Sequence, residues 1–189
     1  MSRLTKTQFL NEKEEYLELI QNAAVFIYPT DTIYGIGCNA TNDAAVRRVR
    51  TIKQREDKPF SVIAPSKDWI MKHAMLSREG KKWLENLPGP YTLIVKLKDR
   101  CVAPSVNNDS GTLGVRIPDH WIAAIATEAD VPLVTTSVNI SGQAFATSIN
   151  DIDPTIIDAV DFVIDQGTLP GTPSTIVDLT GEKPVVKKR

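Results

Sequence analysis

Cysteine and histidine are scarce, with two of each in 189 residues. Cys38 and Cys101 lie far apart, without a CxxC pair or Cys/His spacing. Neither a disulfide framework nor a zinc site is expected, and a reducing cytosol is the simplest home. Each cysteine reads as a small buried hydrophobe. His73 and His120 lie in polar segments flanking helices, away from the serine clusters, and read as surface residues. A Ser-His-Asp triad is therefore not expected. No run of about 18 apolar residues occurs, so no transmembrane helix is expected. Met1–Lys6 lacks a following apolar segment, which argues against a secretory signal and for a cytoplasmic protein. The net charge of −1 makes no overall electrostatic case for nucleic acid, leaving only a local patch to supply one. No GxxxxGK[ST] is present, so there is no P-loop. Gly35-Ile36-Gly37-Cys38-Asn39-Ala40 formally matches GxGxxA, but the preceding strand ends near Pro29 and the next helix starts only after Asn42, so the glycines do not join strand to helix.

What is present is ordinary for a globular protein: 42% hydrophobic and 24% charged residues, and enough length for one domain, residues 1–189, with a real core. Residues 7–23 read as a helix from the spacing of Phe9, Leu10, Tyr16, Leu17, Leu19 and Ile20. Val25–Tyr28 is a buried strand. Asn42 starts a helix carrying Ala45, Val49 and Ile52. Phe60–Ala64 is a strand, Ser77 caps a helix through Trp83, Leu84 and Leu87, and Tyr91–Leu97 is a strand. Residues 99–111 read as a polar loop. Thr112–Pro118, Pro132–Thr136, Phe162–Asp165, Ser174–Leu179 and Val185–Lys187 are strands. Trp121–Ala129 and Asp151–Ala159 are helices. Interleaved helices and strands, some joined only by turns, suggest one layered α+β domain around a mixed sheet.

Four stretches carry candidate chemistry. Tyr28-Pro29-Thr30-Asp31-Thr32-Ile33-Tyr34-Gly35 crowds hydroxyls and a carboxylate ahead of glycine, as a polar pocket at a strand end or a Thr/Gly turn would. On the Asn42 helix, Arg47, Arg48 and Arg50 read as a solvated face, whereas Lys53 falls toward the apolar side and needs a polar partner or a ligand. With Arg55, a Lys-x-Arg at a helix end could hold a triphosphate, a point charge beside a fork. Arg116, inside the apolar strand Leu113–Ile117, is an internal salt bridge, an edge residue facing water or a group capturing a substrate carboxylate. Thr135–Gly142 alternates hydroxyls with one amide at a strand end, suited to phosphate or ribose oxygens or to a capped turn. Ser174-Thr175 repeats that pattern.

The segments PTDTIYGIGCNAT, Lys53-Gln54-Arg55 with Lys58-Pro59, PGPYTLIV (88–95), TLGVRIP (112–118), TTSVNISG (135–142) and STIVDLTG (174–181) together resemble the YrdC domain family, in its single-domain, TsaC-like form. The resemblance covers nearly the whole chain. It implies a YrdC/RibB-like α/β layered fold, a twisted mixed β-sheet flanked by helices over a concave basic cavity. It implies synthesis of threonylcarbamoyl-adenylate from L-threonine, bicarbonate and ATP with release of pyrophosphate. The threonine amine takes up carbon dioxide, and the carbamate oxygen attacks the α-phosphate in line. The product feeds a threonylcarbamoyl transferase machinery that modifies adenosine 37 of tRNA.

The same resemblance implies roles. Lys53, Arg55, Ser137 and Asn139 would be catalytic and hold the ATP phosphates, with Mg²⁺ carried on them. Lys58, Thr112, Ser141 and Ser174 would contact nucleotide. Thr30, Thr32, Tyr34 and Arg116 would hold L-threonine, Arg116 on its carboxylate. Ile63 stands where some relatives have histidine, and Lys187 or Arg189 would replace an arginine that closes over the nucleotide in many relatives. An alternative is a YciO-like protein of the same fold that binds tRNA or double-stranded RNA without synthase activity. A carbamoyl-transfer component like the domain in hydrogenase maturation proteins is disfavoured, since no acylphosphatase or zinc-finger module accompanies it here.

Overall fold

A computed structural model describes residues 2–187; Arg189, the second candidate at the chain end, lies outside them. In order the elements are β1 (Ser2–Thr5), α1 (Lys6–Asn11), α2 (Lys13–Gln21), β2 (Phe26–Tyr28), β3 (Gly35–Gly37), α3 (Asp43–Lys53), β4 (Ser61–Ile63), α4 (Lys67–His73), β5 (Ala74–Met75), α5 (Arg78–Leu84), β6 (Tyr91–Leu97), α6 (Pro104–Asn107), β7 (Thr112–Arg116), α7 (Ala123–Glu128), β8 (Leu133–Ser137), α8 (Pro154–Ala159), β9 (Phe162–Asp165), β10 (Thr175–Asp178) and β11 (Val185–Lys187). The strands form one 11-stranded mixed sheet in the order β1-β9-β2-β3-β8-β4-β7-β6-β10-β11, with β5 pairing β6. The fold is α+β, as the motifs implied.

Several helices start at a capping side chain. Asn42 accepts the Ala45 N–H, and Ser77 accepts the Gly80 N–H. Along β2, Val25 and Ile27 belong to one apolar cluster and Phe26 and Tyr28 to a second, so this part of the sheet is covered on both faces. One cover includes Val46 and Val49 of α3, and the other Phe9, Tyr16 and Ile20 of the N-terminal helices with Ile122 and Ile125 near α7.

Farther along the sheet the two faces differ. Val62, Leu93, Val95, Leu113, Val115 and Val177 enter the first cluster. The opposite face carries Ser61, Thr92, Gly114, Thr112 and Arg116. Strand register sets Thr135, Ser61, Gly114, Ile94 and Asp178 in one row across it. That half-covered face is where a ligand can lie.

Several segments differ from the sequence reading. Gly35–Gly37 is a strand antiparallel to β2, not part of a turn. Gly37 is required by close approach: a Cβ there would stand 2.0 Å from the Val134 carbonyl oxygen. The Tyr28 ring lies against both glycines, and its hydroxyl donates to that same carbonyl at 3.0 Å. Within 99–111, Pro104 opens the short helix α6. The expected helix 7–23 is broken at Glu12 into α1 and α2. Asp151 closes a 3-10 turn, and α8 begins only at Pro154. His73 and His120 are both partly buried, because the ring of His73 packs on Trp69 and that of His120 on Trp121. Arg50 is not a solvated face residue: it donates to the Ser105 carbonyl at 2.7 Å, to those of Arg55 and Glu56 at 3.0 and 2.7 Å, and stacks on Phe60.

Candidate functional site

The open end of the sheet borders a cavity of about 100 Å³ lined by Thr30, Thr32, Tyr34, Arg55, Ser61, Thr92, Arg116, Thr135, Thr136, Ser137 and Ser174, among others. A water takes roughly 10–15 Å³ on this measure, so the enclosed part suits a small polar molecule of amino-acid size. Its described lining includes two guanidinium groups and no carboxylate, which makes it a place for anions.

Arg116 ends β7. Its Nη2 donates to Asp31 Oδ1, while Asp31 Oδ2 accepts the Asp119 N–H at 3.2 Å. Both side chains are nearly buried, at 7% and 11% exposure. Asp31, one carboxylate among the hydroxyls of its stretch, is the counter-charge that permits Arg116 to be buried. The Arg116 Nε has no hydrogen-bond partner among the described residues. Thr30 Oγ1 accepts the N–H groups of Thr32 and Ile33 at 3.1 and 3.2 Å, donates to the Ile33 carbonyl at 2.8 Å and sits 2.9 Å from Thr32 Oγ1, so it fixes the Pro29 turn and the position of the Thr32 hydroxyl. Tyr34 lines the wall, but its hydroxyl faces β9: it donates to the Gly167 carbonyl at 2.8 Å and accepts the Gln166 N–H at 2.9 Å. Burial pushes this phenol up to about 12. Ser174 Oγ lies 2.8 Å from Thr92 Oγ1, joining β10 to β6 at the cavity.

On the other wall Arg55 is fixed by carbonyls of its own turn, Pro59 at 2.7 Å and Lys58 at 3.2 Å, stacks on Phe60 and reaches Thr136 Oγ1 at 3.4 Å. Lys53 lies beneath the wall. Its ammonium donates to the Ser137 carbonyl and to that of Asn139 at 2.7 Å, and its own carbonyl accepts the Ser141 N–H at 3.1 Å. Burial, aided by the nearby Arg55 charge, pulls Lys53 down to about 7. Ser137 Oγ donates to Asn139 Oδ1, and Asn139 Nδ2 donates to the Gln143 carbonyl at 2.8 Å.

The cavity thus brings together Thr30, Thr32, Tyr34, Arg55, Arg116, Ser137 and Ser174. Lys53 and Asn139 shape the loop carrying Ser137, and exposed Ser141 and Lys58 stand outside the lining. Thr112 is on the open face with Arg116 but four residues along β7, about 13 Å away at ~3.3 Å per residue. Lys187 is exposed on β11. Sequence reasoning missed Ser61 and Thr92; the signal was one small hydroxyl side chain in each of two largely apolar strands.

A mixed sheet with one half-open face, ending in a hydroxyl- and guanidinium-lined cavity, defines an α+β protein whose cavity suits a small polar molecule. The chain belongs to the Sua5/YciO/YrdC family, whose model, described as "Telomere recombination", matches residues 18–189. A Methanocaldococcus jannaschii protein, provisionally named a threonylcarbamoyl-AMP synthase, is 40% identical over 96% of this chain and 90% of its own. A threonylcarbamoyl-AMP synthase of Xanthomonas axonopodis pv. citri is 35% identical over 79% of this chain and 82% of its own. P. abyssi Sua5 complexed with L-threonine superposes with a TM-score of 0.87 at 27% identity over 98% of this chain. The match spans 56% of that longer chain. E. coli YciO superposes with a TM-score of 0.82 at 27% identity over 100% of this chain and 96% of its own.

Proposed function

We propose that this chain is an L-threonylcarbamoyladenylate synthase, a nucleotidyltransferase that makes threonylcarbamoyl-AMP and pyrophosphate from L-threonine, bicarbonate and ATP. Residues 1–189 are read as one such domain. Its product would supply the transferase machinery acting on adenosine 37 of tRNA in the cytoplasm. The observation that carries the reading is Arg116: a nearly buried guanidinium, held by Asp31, that lines a cavity of amino-acid size beside the Thr30/Thr32 hydroxyls. A carboxylate arriving there gains charge-assisted bonds in a water-poor site.

In this reading Arg116 takes the threonine carboxylate, and Thr30 and Thr32 meet the rest of the amino acid. Tyr34 contributes wall, its hydroxyl being engaged elsewhere. Arg55, Ser137 and Ser174 border the phosphates. Thr112 touches the far end of the nucleotide along the open face. Lys53, Asn139 and Ser141 hold the Ser137 loop in place, and Lys58 holds Arg55 through its carbonyl. The chemistry needs in-line alignment of a carbamate oxygen with the α-phosphate and neutralisation of the leaving pyrophosphate. Both are positioning and electrostatic tasks. The described lining offers no carboxylate to cage a hard cation, so Mg²⁺ belongs with the nucleotide substrate.

Pyrophosphate release by the purified chain is expected to require all three substrates. Serine should replace threonine with graded loss, since one methyl is worth about 1–3 kcal/mol. No release above background with all three present would overturn the reading. It would favour the second one, an RNA-binding protein of this fold without synthase activity, which rests on the likeness to YciO along nearly its whole length.

A further inference from the structure

Outside the cavity lining, His73, Asp99 and Cys101 converge. Chain spacing hides this, because His73 ends α4 while Asp99 and Cys101 follow β6. The pairing of β5 with β6, Ala74 opposite Leu97, brings the segments together, and the Lys98 N–H donates to the His73 carbonyl at 2.8 Å. One ligand atom from each of the three side chains lies within 4.8 Å of the others. His73 Nδ1 is 2.6 Å from Asp99 Oδ1, and the His73 ring is packed on Trp69 at 4.8 Å, so the imidazole is already oriented.

The surroundings suit a cation better than the local composition suggests. Lys98 turns its ammonium to the Met71 carbonyl at 2.7 Å, and Arg100 pairs with Asp109 at 3.0 Å. The last carbonyls of α4, Met71 and Lys72, are taken up by the Lys98 ammonium, so the negative charge at the site is that of Asp99. An imidazole nitrogen, a sulfur and one carboxylate oxygen form a donor set of intermediate softness. That set selects zinc-class ions over magnesium or calcium, which take oxygen.

We propose that His73, Asp99 and Cys101 bind one zinc-class divalent cation, with water in the fourth position. Bonds of about 2.0–2.3 Å place tetrahedral ligand atoms roughly 3.3–3.7 Å apart. The His73–Asp99 pair therefore opens by about 1 Å, and side-chain rotation brings the thiol to the same spacing. As the metal–sulfur bond forms, the thiol proton leaves to solvent, so binding weakens as pH falls. The ion pins the start of the β6–α6 connection to α4. That connection leads to Asn107, whose side chain holds the Thr112 carbonyl at 2.8 Å on the open face.

The test uses tag-free protein and Co²⁺ as the probe. One equivalent is expected to give a thiolate-to-cobalt band in the near ultraviolet with tetrahedral visible bands, lost on adding Zn²⁺. Cys101→Ser should abolish the near-ultraviolet band, and His73→Gln should weaken Co²⁺ binding about tenfold or more. Cys38→Ala should leave the bands in place, and far-ultraviolet circular dichroism checks that each variant is folded. A missing band, a band that survives Cys101→Ser, or binding that a folded His73→Gln leaves unchanged (an adventitious ion only) would overturn the proposal.

Discussion

Lys53 and Arg116 are both buried, one beneath the wall of the cavity and one in its lining, and their surroundings differ in kind. Lys53 meets backbone: two carbonyls take its ammonium, and both belong to the loop that begins at Ser137. Arg116 meets one carboxylate, Asp31, and its Nε has no partner among the described residues. A compact ammonium can be absorbed by carbonyls, whereas a guanidinium with five N–H groups is rarely satisfied by one acceptor. A buried cation absorbed by backbone holds the architecture, and one with donors left over in a polar cavity is available to a ligand.

The largest expected effect is at Arg116. Arg116→Ala removes the proposed carboxylate contact and leaves Asp31 as a buried unpaired charge. Pyrophosphate release should fall roughly 10²–10³-fold, with the threonine KM rising. Stability should fall by about 3–5 kcal/mol. A threonine titration and a urea melt on the same samples separate these. Asp31→Asn tests the partner: it keeps a side-chain acceptor for Arg116 and removes the charge, so its activity loss should be the smaller one. A melt that shifts while the threonine KM stays put would return Arg116 to a plain internal salt bridge.

At Lys53 the consequence is mainly structural and depends on pH. Lys53→Met leaves two carbonyls unmatched, so at alkaline pH it should cost about 1–3 kcal/mol. The folded chain releases the Lys53 proton at about 7, against 10.5 for the ordinary amine. Between those values the unfolded chain binds more protons than the folded one. Stability therefore rises with pH across that window, by at most about 1.4 kcal/mol per unit. Lys53→Met should lack that rise, so the gap between the two proteins should close or reverse as pH falls from 9.5 to 7 and change little below that. Urea midpoints from pH 6 to 9.5 check this; parallel curves would show that Lys53 stays charged on its carbonyls throughout. Activity should fall as Ser137 loses its fixed position, by less than in Arg116→Ala.

How much of this was legible beforehand follows from the range of each interaction. Caps at Asn42 and Ser77 and the apolar strands act within a few residues, and the sequence displays them. The inward turn of Lys53 was visible in helical spacing. Its partner was not, because the carbonyls of Ser137 and Asn139 come from a loop whose path depends on the whole sheet. Asp31 stayed unexplained for the same reason: Arg116 lies 85 residues further on. Glycine misled at Gly35–Gly37, where it serves a close approach to the neighbouring strand β8 and to the Tyr28 ring, and composition alone reads such residues as a turn. Arg50 looked like one more charge on a solvated helix face. Only the folded 55–58 segment and α6 supply the carbonyls that absorb it.

The mildest change tests the same distinction with a hydroxyl in place of a cation. Ser174 Oγ and Thr92 Oγ1 satisfy one another at 2.8 Å, as an architectural pair does, yet both line the cavity. A hydroxyl can donate one bond and still accept others, so this pair can hold β10 to β6 and meet a phosphate at once. Ser174→Ala should cost only about 0.5–1.5 kcal/mol, because Thr92 can turn its hydroxyl into the cavity. If Ser174 also borders the nucleotide, the ATP KM rises severalfold while the threonine KM holds. If both constants stay unchanged and only the melt shifts, Ser174 belongs with Lys53 among the groups that hold the architecture, and the phosphate side of the cavity rests on Arg55 and Ser137.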